Sequence, residues 1–167
     1  MKTMLDDAFA HHVWATMRLI DACLELPAEQ LTTSAPGTYG SILDTMRHTV
    51  GSDSFYLGVL TGGHTPEIDE DIMDLVELRT AIERDGELWS ELLAERTDPD
   101  EVVVRILDDG STYGTPVSVR LAQAIHHGTD HRSQVCTAVS ELGVTPPEID
   151  LWAWGEETGR VIETPPA

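Results

Sequence analysis

Histidine is the residue whose spacing in this sequence most directly suggests chemistry. His127 and His131 stand four residues apart within LAQAIHHGTDHRSQVCTAVSELG, a stretch with the apolar period of a helix. In a helix, that spacing places two imidazole rings on one face, where both can reach the same metal ion. Seven histidines in 167 residues also produce such a pair by chance. Two interpretations therefore stay open: core histidines bonded to neighbouring side chains, or two metal ligands.

Two further histidines are weighed by their places on the predicted helices. His126 points away from the pair, on the same side as Gln134 and Thr137. His48 lies opposite the main apolar stripe of its own helix and shares a second stripe with Phe55. Periodicity alone predicts an exposed or interface position for His48, and nothing in its spacing makes it a ligand.

The remaining candidates lie on or near the first two helices. His12 falls within an apolar stripe and is expected to pack there, with an approach to an interior metal as the alternative. His11 and His64 are expected at the surface. Asp53 is a carboxylate on an apolar stripe, which indicates a paired or half-exposed acid, or a group that supports metal ligands or accepts a proton.

Four amphipathic helices are predicted to position these residues: 4–26, a helix capped by Ser41 that runs to about Leu60, roughly 70–96, and about 118–142 before Gly143. Residues 28–40 are predicted as loop. The segment between Glu101 and Arg120 predicts a hairpin of two short strands, and the tail IDLWAWGEETGR is expected to fold back onto the helices. We therefore expect one all-α domain over 1–167, a four-helix bundle with a short β-hairpin before the last helix.

Composition excludes some classes of function. Ten basic against thirty acidic residues give a net charge of −20, which disfavours binding to nucleic acid or to anionic lipid headgroups. No apolar run approaches the roughly 20 residues that span a bilayer, and Asp6 and Asp7 interrupt any signal peptide, so a cytoplasmic protein is expected. Cys23 and Cys136 lack CxxC spacing; we expect two buried free thiols, with a disulfide as the alternative.

The last predicted helix resembles that of the DinB-like (YfiT-like) metalloenzymes, which carry an H-G-T-x-H-R-x-Q stretch followed by an apolar run and a terminal Leu-Gly. Trp14 in the first helix, His48 midway along the second and the hairpin before the last helix agree with that family. The resemblance implies an up-down-down-up bundle, frequently dimeric, in which His48, His127 and His131 bind one divalent metal. Members commonly have His where this chain has Asp130, a position that is not a ligand.

The resemblance also implies a class of activity. Characterised relatives include transferases and isomerases that use low-molecular-weight thiols. Three histidines leave open positions on a divalent ion, and zinc or nickel is expected here, although imidazole also suits iron and copper. We expect activation of a small thiol that attacks an electrophile. The alternatives are hydrolysis by activated water, for which HGTDH lacks the Glu of HExxH, and a non-catalytic metal- or ligand-binding role. Trp14 and His48, outside their main apolar stripes, further predict a homodimer.

Overall fold

The computed structural model describes residues 2–63, 65–95 and 98–164. Four long helices form the bundle: α1 (Met4–Leu24), α2 (Ile42–Thr61), α3 (Leu75–Glu95) and α4 (Val117–Glu141). Strands β1 (Val102–Ile106) and β2 (Thr112–Pro116) pair antiparallel just before α4, and a short helix α5 (Leu151–Glu157) follows it. The prediction of an all-α bundle with one hairpin before the last helix is confirmed.

Capping boxes start the first two helices. The Ser41 side chain accepts a hydrogen bond from the backbone N–H of Asp44, and the Asp44 carboxylate accepts one from the backbone N–H of Ser41. Thr3 and Asp6 make the same reciprocal pair at the start of α1. Because such boxes satisfy N–H groups that lack a partner inside the helix, they fix where each helix begins. The sequence-based choice of Ser41 as the cap of α2 is confirmed, and with it the register that positions His48.

Helices α2 and α3 run in the same direction. Arg47, near the start of α2, donates from Nε to the carbonyl of Met73 just before α3, at 2.7 Å. Further along both helices, Trp89 Nε1 donates to Asp53 Oδ2 at 2.9 Å. Parallel neighbours need a long connection, which the segment 62–74 provides.

Two other packed pairs of long helices are antiparallel, α1 with α3 and α2 with α4. Contacts run in opposite directions along the two partners: Asp21 with Arg79 and Phe9 with Trp89 for α1 and α3, and His48 with His131 and Tyr56 with Gln123 for α2 and α4. The order is therefore up-down-down-up, as the resemblance implied. Because α2 packs against α3 on one side and α4 on another, both of its faces meet protein.

Several local predictions need correction. The segment predicted as loop contains a 3₁₀ helix over Ala28–Thr32. The third helix starts at Leu75 rather than near 70, since residues 66–74 form an extended and turning connection. The expectation of free thiols is confirmed: Cys23 is buried and Cys136 is half-buried. Burial raises the pKa of Cys23 to about 12. Among the described helices, none is both long and apolar enough to cross a membrane.

The C-terminal tail folds back onto α1, as predicted. Trp14 Nε1 donates to Glu157 Oε1 at 3.0 Å, and the same carboxylate pairs with Arg18. Trp154 is buried beneath α5. The tail therefore covers one of the two residues that motivated the homodimer, and the other, His48, faces α4. The homodimer stays a prediction, which light scattering against the 18.3 kDa monomer would test.

Candidate metal centre

Three histidines converge between α2 and α4. His48 comes from α2, and His127 and His131 come from consecutive turns of α4. One nitrogen from each ring lies within 4.8 Å of the other two. The centroid of the His48 ring lies 5.1 Å from that of His127 and 4.9 Å from that of His131. The structure thus brings together the three residues that the family resemblance named; they are called the triad below.

The spacing of the two triad histidines on α4 fits a single divalent cation. His127 Nε2 and His131 Nε2 lie 3.2 Å apart. Two imidazole nitrogens bound to one ion at about 2.0–2.1 Å in tetrahedral geometry would be about 3.4 Å apart. Every ligand in the cluster is an imidazole, which suits zinc, nickel and related transition metals rather than magnesium or calcium. His48, His127 and His131 would therefore hold such an ion with at least one position left for another ligand.

Electrostatics keep two of these rings in the form that binds metals. Burial, with the nearby charges of His131 and His48, lowers the pKa of His127 to about 4. Burial also lowers the pKa of His131, and the hydrogen bond to Gln134 and the charge of Asp130 oppose that effect only in part. A protonated imidazole cannot ligate, so both rings are available to a metal at neutral pH.

Two polar side chains fix the orientation of the triad. His48 Nδ1 donates to Glu70 Oε2 at 3.2 Å, which leaves Nε2 of His48 free. His131 Nδ1 donates to Gln134 Oε1 at 3.2 Å, and that oxygen also accepts from the backbone N–H of Tyr39 at 2.8 Å. Hydrogen bonds at the second ring nitrogen commonly set the tautomer and angle of a ligating histidine.

Aromatic rings cover two sides of the triad. Tyr39 stacks on His48 with centroids 4.1 Å apart and planes 8° apart. Tyr56 approaches His127 edge-on, with centroids 5.7 Å apart. These rings restrict how the imidazoles can turn and shield part of the site from water.

Asp53 bonds to a different set of residues. Its Oδ1 accepts from His12 Nε2 and its Oδ2 accepts from Trp89 Nε1, each at 2.9 Å. His12 Nδ1 in turn accepts from Arg132 Nη1 at 3.0 Å. These four residues, the core network, are buried. The sequence-based suggestion that Asp53 supports the metal ligands therefore has no hydrogen bond behind it, and the prediction that His12 packs in the core is confirmed.

The other histidines divide between confirmed and corrected predictions. His126 is exposed, as its wheel position predicted, and Asp130 is exposed beside it. His11 is half-buried, since its Nε2 bonds the carbonyl of Ile149 at 2.9 Å; the surface prediction was wrong because the returning tail was not counted. His64, also predicted at the surface, lies outside the described residues.

The sequence interpretation missed the residues that orient the triad. Gln134 was placed with His126 on the outer side of α4 but is half-buried beside His131. Glu70 was assigned to the start of α3 but lies in the connection before it, where no periodicity points to a role. The Gln of the H-G-T-x-H-R-x-Q stretch was the one available signal, because it stands three residues after a candidate ligand.

Comparison with known families shows the family of this chain. The model of the DinB family matches residues 1–160. The chain belongs to the DinB family. A search of curated proteins found no match. Membership in the DinB family and the converging histidines together support metal binding at the triad. They leave the reaction of this DinB protein to be inferred from the site.

Proposed function

We propose that this DinB protein is a metal-dependent enzyme that transfers a low-molecular-weight thiol to a small electrophile, or isomerises that electrophile through a thiol. The observation that carries the proposal is the convergence of three imidazole nitrogens from His48, His127 and His131 within 4.8 Å. A zinc or nickel ion held there would supply Lewis-acid chemistry, because open positions on such an ion lower the pKa of a thiol or water that binds.

The side chains around the triad support binding and orientation. Glu70 and Gln134 hold the rings of His48 and His131 so that their Nε2 atoms face the shared centre. Tyr39 and Tyr56 cover two sides of the triad, and shielding part of the site from water strengthens electrostatic interactions with a bound reactant. A thiol activated in this way is itself the nucleophile, so the protein needs none of its own.

Hydrolysis is the second candidate, and one contact bears on it. A water-based mechanism usually needs a carboxylate base beside the ion, and Glu70 is the carboxylate that bonds a triad histidine. Its Oε2 already accepts from His48 Nδ1, which fits an orienting role better than proton transfer. This contact favours thiol transfer over hydrolysis.

A conjugation assay tests the proposal. The purified protein, loaded with zinc or nickel, is mixed with a panel of small thiols and electrophiles, and product is followed by mass spectrometry. We expect thiol conjugation that His131→Ala abolishes and His126→Ala leaves intact. Ester or amide hydrolysis without thiol, lost in Glu70→Gln, would instead support the hydrolase. If the protein shows neither conjugation nor hydrolysis across the panel, that result would support a binding role.

A further inference from the structure

A buried arginine near the start of α4 has two side-chain nitrogens without hydrogen-bond partners among the described residues. Arg120 is 5% exposed, and its Nε and Nη2 atoms find no acceptor among the described residues. Thr115, near the end of β2, also buries a hydroxyl that has no hydrogen-bond partner among the described residues. A guanidinium stays charged at any physiological pH, so burying it without an acceptor is costly. Such a group is expected where a ligand supplies the acceptor.

A second arginine lies on the hairpin that precedes α4. Arg105, on β1, is paired in register with Tyr113, and its guanidinium lies 4.6 Å from the centre of the Phe55 ring. Its charge helps to lower the pKa of Arg120, after the larger effect of burial. Arg105 makes no ion pair with the residues that the structure describes. Two arginines without an acidic partner in the described part of the chain are unexpected in a sequence with thirty acidic residues.

A cavity extends beside Arg105. It has a volume of about 630 Å³ and lies between α2, the 62–74 connection and β1, with Phe55 and Glu70 in its lining. Glu70 is also the residue that bonds His48. The cavity therefore extends from Glu70, which bonds a triad histidine, to Arg105, and it is large enough for a small organic molecule.

Arg120, His127 and His131 lie on the same side of α4. Arg120 and His127 are seven residues apart on α4, which is two turns, or about 10 Å along the helix axis. Tyr56 links the two regions: its ring packs against His127, and its hydroxyl accepts from Gln123 Nε2 at 3.3 Å. A ligand that spans this face would meet cations at one end and the triad at the other.

We propose that Arg105 and Arg120 form a binding site for the carboxylate of a small-molecule reactant whose other end reaches the triad. The planar fork of a guanidinium matches a carboxylate with two parallel hydrogen bonds. Glu67 and Glu70 in the cavity lining, together with the net charge of −20, disfavour more highly charged anions such as nucleoside triphosphates. This inference deepens the proposed function and rests on it for the reaction at the other end, but the carboxylate site itself needs no metal.

Calorimetric titration of the purified full chain tests the site without any activity. The probes are succinate, glutarate and adipate, the matching diamides, and inorganic phosphate, each with and without a chelator. We expect the dicarboxylates to bind and the diamides not to. Arg105→Gln and Arg120→Gln should each weaken binding about 10- to 100-fold, the value of a charge-assisted hydrogen bond pair. Arg79→Gln is the matched control, since it removes the same charge from a surface arginine that pairs with Asp21.

Thermal unfolding provides a second readout that a structural role would not give. Because Arg120 is buried without acceptors, Arg120→Met should raise the melting temperature of the unliganded protein while abolishing dicarboxylate binding. A lower melting temperature would show that Arg120 stabilises the fold and would overturn the proposal. Equal binding of dicarboxylates and diamides, unchanged affinity in both Gln variants, or tighter binding of phosphate would also overturn it.

Two further measurements separate this site from the proposed function. His127→Ala should keep dicarboxylate binding, so a failure of the metal site would leave this result standing. In the metal-loaded enzyme, Arg105→Gln should raise the KM of the reactant that carries the carboxylate, whether thiol or electrophile, and leave the KM of the other unchanged. A fall in kcat with both KM values unchanged would contradict a binding role.

Discussion

The triad and the core network place histidines in two contrasting environments within one bundle. In the triad, the ring nitrogens of His127 and His131 face each other at 3.2 Å, and His48 and His127 are half-buried beside the buried His131. In the core network, His12 is 1% exposed, and both of its ring nitrogens have protein partners, Asp53 and Arg132. The triad thus presents ring nitrogens that can bind a ligand, whereas both ring nitrogens of His12 in the core network already bond to protein groups.

This difference distinguishes a structural histidine from a candidate ligand. A buried histidine whose two nitrogens are both satisfied stabilises the fold, and replacing a partner leaves an unpaired polar group. Imidazole nitrogens that face one another, with a third ring nearby, gain little stabilisation from hydrogen bonds within the protein. They are therefore free to bind a cation. Substitutions in the core network should therefore reduce stability, and substitutions in the triad should reduce metal binding.

Asp53→Ala should have the largest effect on stability. The change leaves His12 Nε2 and Trp89 Nε1 without an acceptor in the core, at a cost of about 3 kcal/mol in the free energy of unfolding. Urea denaturation of the metal-free protein measures it, with Glu87→Ala, an exposed acid on α3, as the control. A loss below about 1 kcal/mol would show that the core network is not a structural unit.

Gly128→Ala should cost less. An added Cβ would lie 2.4 Å from His12 Cε1 and 2.9 Å from Arg132 Nη1, both held in the core network. Overpacking of this kind costs about 1–3 kcal/mol, partly offset by the better helix propensity of alanine. We expect lower stability in urea with metal stoichiometry unchanged. Ser133→Ala, on the exposed side of α4, is the control and should be neutral.

Gly51→Ala is the matched substitution beside the triad and should act in the opposite way. Here the added Cβ meets Glu70 Oε1 at 2.4 Å, on an exposed side chain that can move aside. Alanine should then leave stability unchanged or raise it by up to about 1 kcal/mol. Displacing Glu70 from His48 should weaken metal affinity about 10-fold or more. Competition with a fluorescent chelator measures the metal affinity. Unchanged affinity would show that Glu70 does not support metal binding by His48.

Lowering the pH should reduce the stability of the metal-free protein through the triad, and this effect should be smaller than those above. The pKa of His127 is lowered to about 4 in the folded chain, from about 6.5 when exposed. Between these values the unfolded chain binds more protons, so the stability of the metal-free protein should fall as pH drops through this window. Replacing His127 by Gln should flatten that part of the profile. Profiles that coincide for the wild type and His127→Gln would contradict the lowered pKa.

The sequence predicted the helices better than the contacts between them. Apolar periods located all four long helices, and the cap at Ser41 was identified correctly. The wheel predicted His48 at an exposed or interface position because it could not show that α2 has neighbours on two sides. Asp53 is five residues, about 140°, from His48 on α2, so it points toward α1 and α3 rather than toward the triad. Glu70 could not be foreseen, since its role depends on the path of a connection without periodicity.

Metal stoichiometry tests the central claim most directly. Purified wild type, His48→Ala, His127→Ala, His131→Ala and His126→Ala are loaded with zinc or nickel, desalted and analysed by inductively coupled plasma mass spectrometry. We expect about one ion per chain in the wild type and in His126→Ala, and close to none in the three triad variants, all with metal-free stability near that of the wild type. Retention of the ion in His48→Ala, or its loss in His126→Ala, would contradict the assignment of the triad.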